Sequence, residues 1–572
     1  MSGLKNSTAD CSGLRRIWQR VAGFRRNEGG GMIIFGLYIF VIMLWMGGMA
    51  VDFMRFEHER AKVQYTLDRA ALAAASLNQP LPCEDVARDY FEKSGIDSNQ
   101  VTVTGTCTDL SSIVTVSAET TVKSFFINLM GIESMTAAGT STAEESIKDV
   151  EISMVLDVSG SMGWDDATGT QTKLAALQTA AGEFLDELLT NDNLDRISVN
   201  VIPYNMQVNA GEDILNELNV SNEHDYSHCI DFKSEDFATV EISADVAAGA
   251  SLGDLSLDGT TVMGTRDELQ RSGHFDPFYT TKDLDHISSD DGATRLFNCP
   301  TSEESEITLM SQNKSELKTM INSLTAGGNT SIDLGVKWGS FFLNPNAEPL
   351  MDALADDSTN LTSGGIPVAF QDRPYEYDRE NTIKIMVVMT DGVNTTQYML
   401  DEDYDSGDSD IWLDPNSSWL SHYKWRAGPD NNYFMSYGST SYDYFSGNRY
   451  NQGGDERLTY PELWKQVGVK YFAYYYNYVR DWDANEYYDT RDDILDYVYA
   501  SEKNTRLNNA CTAAKDEGVI IYSIGFEVSD ASAVVMENCA STPSDFFRVE
   551  GTEISEAFGK IAQTIQRLKL TQ

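Results

Sequence analysis

Short, continuous apolar runs alternate with amphipathic stretches along most of this chain. Such runs are typical of strands buried on both faces of a parallel sheet. Between them, apolar residues recur at helical spacing, as in the stripe Leu174, Leu177, Phe184, Leu185 and Leu188. The alternation predicts an α/β fold with a doubly wound, mostly parallel, Rossmann-like sheet over residues 149–570. The predicted strands are 152–156, 197–204, 383–391, 519–526 and 546–549, and the predicted helices include 314–323, 332–342, 533–539 and 554–568.

Three polar stretches interrupt this predicted domain, at about residues 205–305, 344–381 and 394–503. The last is crowded with aromatic residues. Exposed Tyr and Trp favour contact with protein or sugar, whereas the same residues can also form the insertion's own core. Both interpretations stay open for Trp412, Trp419, Tyr423, Trp425, Tyr433, Phe434, Tyr437, Tyr442, Tyr444, Phe445 and the run 469–479.

Residues 32–51 form an uninterrupted uncharged run that is long enough to span a bilayer as a helix. Residues 1–31 are basic, which favours a cytoplasmic leader. Residues 52–78 keep a helical pattern and predict a stalk. A cleaved signal peptide is the alternative, because Gly48-Met49-Ala50 is a small-x-small site, but the long apolar run and the extended leader favour an uncleaved anchor.

Residues 79–148 predict a small α+β module. Its strands, at 101–107, 113–117 and 135–143, alternate polar and apolar residues as half-buried antiparallel strands do. Helices are predicted at 86–93 and at about 122–129.

Composition excludes one class of partner. The chain has 572 residues, with 88 acidic residues against 42 basic ones and a net charge of −46. Such a surface repels phosphate, so we expect no nucleic-acid partner. A chain of this length predicts about three domains.

Six of the seven cysteines follow the apolar run, and Cys11 precedes it. An even number beyond a membrane fits disulfides in an oxidising compartment. Spacing alone does not fix the connectivity, and metal ligation is the alternative, although no C-x-x-C pair occurs. We favour local pairing because each couple lies inside one predicted module. The couples are Cys83 with Cys107, Cys229 with Cys299, and Cys511 with Cys539.

Candidate chemistry concentrates where the strand 152–156 ends. Asp157, Ser159 and Ser161 stand at alternate positions of a glycine-containing loop. A carboxylate and two hydroxyls at the carboxyl end of a strand suit a hard divalent cation, which prefers oxygen ligands. The alternative is a capped turn in which Asp157 and Ser159 bond backbone amides.

Asp157-x-Ser159-x-Ser161 resembles the metal-ion-dependent adhesion site, or MIDAS, of von Willebrand factor type A (vWA) domains. That site is completed by a Thr and an Asp from two later loops, and the resemblance assigns these roles to Thr330 and Asp391. It implies Mg²⁺ as the ion, with Ca²⁺ or Mn²⁺ as alternatives, since all the ligands are hard oxygens.

The basic leader, the apolar run, Asp52 and the stretch 64–75 resemble the N-terminus of TadG-like proteins of Tad (Flp) pilus assembly. The two resemblances imply a bacterial inner-membrane protein with its N-terminus in the cytoplasm and its bulk in the periplasm or exported. They also imply a non-enzymatic role in which the cation binds an acidic residue of a pilin or another pilus-assembly subunit. A surface adhesin or lectin-like binder is the alternative.

Other candidate sites are weaker. Residues 401–410 are acidic, but Gly407 and Trp412 stand at the wrong positions for an EF-hand calcium loop. His224 and His228 have metal-ligand spacing within a polar loop. Ser161 lies in a sequence that only partly matches the nucleophile elbow of hydrolases. The chain has no G-x-x-x-x-G-K-[ST] phosphate loop, so an assembly ATPase is excluded.

Overall fold

The computed structural model describes residues 29–76, 79, 81–97, 100–107, 111–190, 195–242, 269–278, 296–356, 366–414, 419–425, 432–436, 456–473 and 484–571. The predicted basic leader up to residue 28 lies outside these residues, as does much of the insertion 394–503. The chain divides into two compact units, Met1–Ile147 with Leu570–Gln572, and Lys148–Lys569.

One long helix, α1 (Gly29–Ala75), dominates the first unit. It runs without a break through the predicted anchor and the predicted stalk. Within the described part of the chain it is the one helix long and apolar enough to cross a membrane. Its apolar side chains between residues 32 and 46 are largely exposed, whereas its alanine-rich end is buried and packs with Val114 and Val116.

An antiparallel sheet covers that buried end of α1. It contains β1 (Val101–Cys107), β2 (Ser111–Lys123) and β3 (Ser134–Ile147), and Leu570–Thr571 pairs with β3. Helix α2 (Cys83–Ser94) joins β1 through the Cys83–Cys107 disulfide.

The helix predicted at about 122–129 is wrong. Strand β2 continues to Lys123, with Val122 opposite Met135, and only a short 3₁₀ turn, Ile127–Met130, follows. The reason is the β-branched sequence Thr120-Thr121-Val122, which favours a strand, and the pairing of β2 with β3 along its whole length.

The second unit alternates strands and helices. Its strands are β4 (Asp149–Asp157), β5 (Ile197–Tyr204), β6 (Thr308–Ser311), β7 (Thr382–Thr390), β8 (Gln397–Leu400), β9 (Asp408–Asp414), β10 (Trp419–Trp425), β11 (Asn432–Ser436), β12 (Glu456–Thr459), β13 (Leu495–Val498), β14 (Ile520–Phe526) and β15 (Phe546–Val549). Its helices are α3 (Lys173–Leu188), α4 (Glu212–Asn216), α5 (Lys314–Ser323), α6 (Ile332–Phe341), α7 (Glu348–Asp356), α8 (Tyr460–Gln466), α9 (Val469–Phe472), α10 (Ala484–Ile494), α11 (Ala500–Asp516), α12 (Asp530–Cys539) and α13 (Glu553–Lys569).

The central sheet has the strand order β15-β14-β7-β4-β5-β6. All neighbouring pairs are parallel except β5 with β6, whose short edge strand was not predicted. The sheet is therefore mostly parallel, as predicted. Strands β4 and β7 lie side by side with Leu156 opposite Met389, so Asp157 and Thr390 reach the same edge of the sheet together.

Both faces of the central sheet are covered. Val155 and Val388 belong to one buried cluster, with residues of α6, α11 and α12. Met154 and Val387 belong to a second cluster, with residues of α3, α5 and α13. Several of these helices begin at capping side chains that accept a backbone N–H, namely Thr172, Asn313 and Ser529.

The remaining disulfides confirm the predicted local pairing. Cys229 pairs with Cys299, and Cys511 pairs with Cys539. The second of these bridges joins α11 to α12, the helices on either side of β14 in the sequence. All six cysteines that follow the apolar run are thus paired within their own units.

Candidate functional site

Asp157 ends strand β4 and is fully buried. One of its carboxylate oxygens, Oδ1, accepts the backbone N–H of Ser159 at 2.7 Å, and Oδ2 accepts the Thr390 hydroxyl at 2.7 Å. The first bond is the capped turn considered from the sequence. Each carboxylate oxygen can accept more than one bond, so this turn fixes the carboxylate without using up its capacity to bind a cation.

Asp391 follows β7 and meets the Asp157 loop from the neighbouring strand. The Ser161 hydroxyl donates to Oδ1 of Asp391 at 2.7 Å, and the hydroxyls of Ser159 and Ser161 lie 3.3 Å apart. The first of these contacts joins residues 230 positions apart in the sequence. The structure therefore brings together Asp157, Ser159, Ser161 and Asp391.

The Thr330 loop lies against the same loop through main-chain contacts. The N–H of Gly160 donates to the carbonyl of Gly328, and the N–H of Gly327 donates to the carbonyl of Val158, each at 2.9 Å. A Cβ at position 160 would lie 3.1 Å from the Gly328 oxygen, so glycine permits this close approach. Thr330 itself is buried; participation of its hydroxyl in a cation site stays a prediction.

Two further residues at this site were not predicted from the sequence. The Lys173 ammonium donates to Oδ2 of Asp391 at 2.9 Å and lies 3.7 Å from Oε2 of Glu527. Lys173 is the first residue of α3, where the helix dipole disfavours a cation. No spacing pattern in the sequence connects Lys173 with Asp391 or Glu527, so the sequence offered no signal for this contact.

The charge of the site is concentrated on buried carboxylates. Burial and the neighbouring Asp391 carboxylate raise the pKa of Asp157 to about 6. Burial and the Asp157 charge also raise the pKa of Tyr204 well above its ordinary value. A divalent cation would relieve this repulsion, and protons compete with it for Asp157 at acidic pH.

A buried ion pair lies behind the Thr330 loop. The Lys503 ammonium donates to the carbonyls of Thr330 and Thr395, at 2.7 and 3.0 Å, and to the Ser331 hydroxyl at 2.5 Å. Oδ1 of Asp333 lies 3.9 Å away, and both side chains are fully buried. Burial lowers the pKa of Lys503 to about 8, so the ammonium is mostly charged at neutral pH. This support could not be predicted from the sequence, because Lys503 lies at the far end of the insertion 394–503.

The donor set fits a hard divalent cation of the predicted type. Two carboxylates and two hydroxyls converge, and a third hydroxyl belongs to the adjoining Thr330 loop. Across the described residues, no group of three or more His, Cys, Asp or Glu side chains is placed to hold a metal. A site here would therefore use hydroxyl oxygens beside the carboxylates, and the cation would keep much of its positive charge.

The weaker candidate sites have structural roles in the described residues. Nε2 of His224 lies 3.0 Å from the Ser272 carbonyl, and the ring stacks on Tyr226. In the acidic stretch 401–410, the carboxylates of Asp408 and Asp410 pair with Arg457.

The insertion 394–503 forms most of a small separate core, to which Phe275 of the insertion 205–305 also belongs. Trp464 and Phe472 are buried in it, together with Leu458 and Ile494. These aromatic side chains support the interpretation that the insertion's aromatics form a core. The side chains of Trp419, Tyr423, Trp425, Tyr433 and Phe434 lie outside the described residues, as do Tyr437, Tyr442, Tyr444, Phe445 and residues 474–479.

The N-terminal helix of the chain matches a known family. The Tad family model, described as "Putative Flp pilus-assembly TadE/G-like", matches residues 29–77. No curated protein shows significant similarity to this chain. The matched residues contain the membrane-length part of α1. The match and the helix together indicate a Tad pilus-related protein of the cell envelope that is anchored in a membrane.

Solved structures of pilus proteins resemble the chain at low similarity. The vWF domain of the type V pili tip protein Mfa5 from Porphyromonas gingivalis is 12% identical, with a TM-score of 0.31 over 74% of this chain and 98% of that domain. The pilus adhesin SpaC from Lactobacillus rhamnosus GG is 13% identical, with a TM-score of 0.29 over 82% of this chain and 35% of that chain. The adhesive tip pilin GBS104 from Group B Streptococcus agalactiae is 12% identical, with a TM-score of 0.29 over 73% and 100%.

Proposed function

We propose that this Tad pilus-related chain is a non-enzymatic, membrane-anchored assembly protein whose second unit is a doubly wound vWA domain. In this proposal the domain binds an acidic residue of a pilin or another pilus-assembly subunit through a divalent cation. Helix α1 is the single inner-membrane anchor, with the N-terminus in the cytoplasm, and the part of the chain that follows the membrane-spanning run lies in the periplasm or is exported.

The observation that carries the proposal is the meeting of three loops from distant parts of the sequence. The Ser161 hydroxyl bonds the Asp391 carboxylate at 2.7 Å, and the Gly160 N–H bonds the Gly328 carbonyl at 2.9 Å. This edge is where open α/β sheets bind ligands. The convergence of an Asp, two Ser residues and a second Asp at this edge supports a cation site.

The roles of the residues follow from their chemistry. Asp157, Ser159, Ser161, Thr330 and Asp391 would hold the cation directly or through water. When bound, Mg²⁺ would supply an electrophilic position that accepts a carboxylate oxygen from the partner. Thr390 and the Ser159 amide hold the Asp157 carboxylate in place, so the chain's own hydrogen bonds preorganise the site.

A titration of the purified full-length chain with Mg²⁺ and Mn²⁺ tests the cation site. We expect saturable binding and a rise in thermal stability of the second unit, equivalent to about 2.7 kcal/mol at a free cation concentration of 100 Kd. The double variant Ser159→Ala with Ser161→Ala is expected to lose both effects. A matched pair of exposed hydroxyl deletions on α5, Ser315→Ala with Thr319→Ala, is expected to keep them. Equal cation responses in the two double variants would contradict the site.

The cellular test uses Asp157→Ala with Ser159→Ala. We expect loss of pilus assembly or adherence at normal protein levels, because the fold survives while the cation does not bind. Unaltered piliation and adherence in that strain would rule out a working cation site in assembly.

Lys173 is expected to limit the affinity for the cation. Its ammonium already neutralises Asp391, so a divalent cation must compete with it for the same carboxylate. In Lys173→Met we expect a less stable cation-free protein and an affinity for Mg²⁺ that is higher by about tenfold or more, equivalent to ~1.4 kcal/mol. Isothermal titration calorimetry measures this affinity. Lys173→Arg keeps the charge and serves as the control, and weaker Mg²⁺ binding by Lys173→Met would show that the ammonium supports the site instead.

A further inference from the structure

The turn between β2 and β3, residues 124–133, exposes a group of large apolar side chains. We call this segment the hairpin tip. Leu129 is 77% exposed, Phe125 66% and Met130 59%, and Phe126 and Ile132 are also exposed. The first unit has a buried core elsewhere, under β2 and β3. The hairpin tip therefore presents apolar surface that the first unit itself does not cover.

The hairpin tip is held against α1 at the level of Asp52. The Asp52 carboxylate accepts three backbone N–H groups, those of Phe125, Phe126 and Ile127, at 2.6–3.2 Å. One turn further along α1, the Arg55 guanidinium lies 4.5 Å from the centre of the Phe125 ring. It also donates to the carbonyl of Lys123 at 3.5 Å. These bonds fix the tip to the helix, so its depth follows from the depth of α1.

That depth coincides with the end of the apolar run. The 20 residues 32–51 span about 30 Å as a helix, which equals the hydrocarbon thickness of a bilayer. Asp52 follows directly, and the Phe126 ring occupies the space where a Cβ on Gly48 would lie. Gly48 is four residues inside the apolar run, about 6 Å along the helix from Asp52. Whatever surrounds the last turn of that run therefore also surrounds Phe126.

We infer that the hairpin tip inserts its apolar side chains into the lipid bilayer beside α1, at the interface where the helix leaves the membrane. The inference rests on the membrane anchor of the proposed function. Arg55 and Lys123 lie on the other side of the Asp52 contact, at the level of anionic lipid phosphates, where basic side chains are favoured. The first and last residues of the hairpin tip are joined by a backbone hydrogen bond, in which the Ser124 N–H donates to the Glu133 carbonyl at 3.1 Å.

The inference assigns the first unit a definite role. A single helix anchor leaves a domain free to tilt and rotate on the membrane surface, whereas a second apolar contact removes much of that freedom. Asp52 is then a positioning residue, because it holds the hairpin tip at the depth of the interface. Its carboxylate is satisfied by backbone N–H groups, which makes an acidic residue at the membrane boundary tolerable.

The test places a nitroxide label at three positions, one at a time, in the full-length chain with Cys11→Ser. The chain is reconstituted in vesicles of phosphatidylethanolamine and phosphatidylglycerol. Leu129→Cys reports on the hairpin tip, Phe40→Cys reports on the anchor, and Glu144→Cys is the control. Glu144 is an exposed residue on β3, about 30 Å from the start of that strand. Collision rates with oxygen, which concentrates in lipid, and with a water-soluble nickel chelate give the depth of each label.

We expect the labels at 129 and 40 to collide mainly with oxygen, and the label at 144 to collide mainly with nickel. A label at 129 that behaves as the label at 144 does, while 40 remains in lipid, would overturn the inference and leave the anchor intact. A label at 40 in water would overturn both. A label at 129 shielded from both reagents, with spin–spin broadening that disappears on dilution with unlabelled protein, would mean that the tip binds a second copy and not the bilayer.

Discussion

The Asp157→Asn variant is expected to be more stable than the wild-type chain at pH 7.5 when no divalent cation is present. Burial and Asp391 raise the pKa of Asp157 from 3.8 to about 6, so the folded state binds a proton more tightly than the unfolded state does. Protonation of Asp157 therefore contributes fully to the stability of the folded state below pH 4, and this contribution is lost as the pH rises through 6. The difference corresponds to about 3 kcal/mol. Asparagine is neutral at every pH and can still bond the Ser159 amide and the Thr390 hydroxyl.

Unfolding of the second unit at pH 7.5 and pH 5, in the presence of a chelator, measures this effect. Between the two pH values the advantage of Asp157→Asn should shrink by about 1.4 kcal/mol, because wild-type Asp157 becomes protonated. Asp186→Asn is the control with the opposite sign. Lys318 lowers the pKa of Asp186, so this substitution should lower the stability of the second unit and not raise it. Excess Mg²⁺ should make the wild type more stable than Asp157→Asn, because only the wild type binds the cation. A variant that is less stable than wild type by the same margin at both pH values would show that Asp157 is not a strained anion.

The central strands could be predicted because strands that are buried on both faces of a sheet consist of continuous apolar runs. Strand β5 has the predicted bounds, and β7 ends at Thr390, one residue short of the predicted end at Asp391. The Asp157 loop and Asp391 could be placed together because the ends of neighbouring parallel strands share one edge. The contacts of Ser161 with Asp391 and of Gly160 with Gly328 follow from that topology.

Contacts that depend on single long side chains could not be predicted. Lys173 and Lys503 lie on helices. The apolar pattern predicts those helices, but it does not predict which groups their lysine side chains contact. Their partners are an Asp391 oxygen and two backbone carbonyls, and no spacing rule connects such groups. The hairpin tip was missed for another reason: Phe125 to Met130 has a helix-like apolar pattern, but β2 pairs with β3 up to Lys123 opposite Ser134, which leaves room only for a short turn between the two strands.

The Lys503→Met variant is expected to lose about 3–5 kcal/mol of stability, because it removes the stronger of the two counter-charges of the buried Asp333 carboxylate and leaves only Arg506. Neither carboxylate oxygen of Asp333 has a hydrogen-bond partner among the described residues, so the positive charge of Lys503 is its main stabilising contact. The variant also removes the donor that holds the carbonyls of Thr330 and Thr395. We therefore expect weaker cation binding as well, measured by calorimetric titration with Mn²⁺.

Two further variants separate the positioning role of Lys503 from its effect on stability. Lys503→Met with Asp333→Leu should recover much of the stability, because the unpaired charge is gone, yet it should keep the weakened Mn²⁺ binding, because the Thr330 loop still lacks its donor. Lys337→Met is the matched control: Lys337 is equally buried, and its ammonium donates to the carbonyls of Asp236, Thr239 and Glu241, away from the site. It should lose stability and retain the wild-type affinity of the folded protein for Mn²⁺. If the double variant recovers both properties, Lys503 acts on the fold alone.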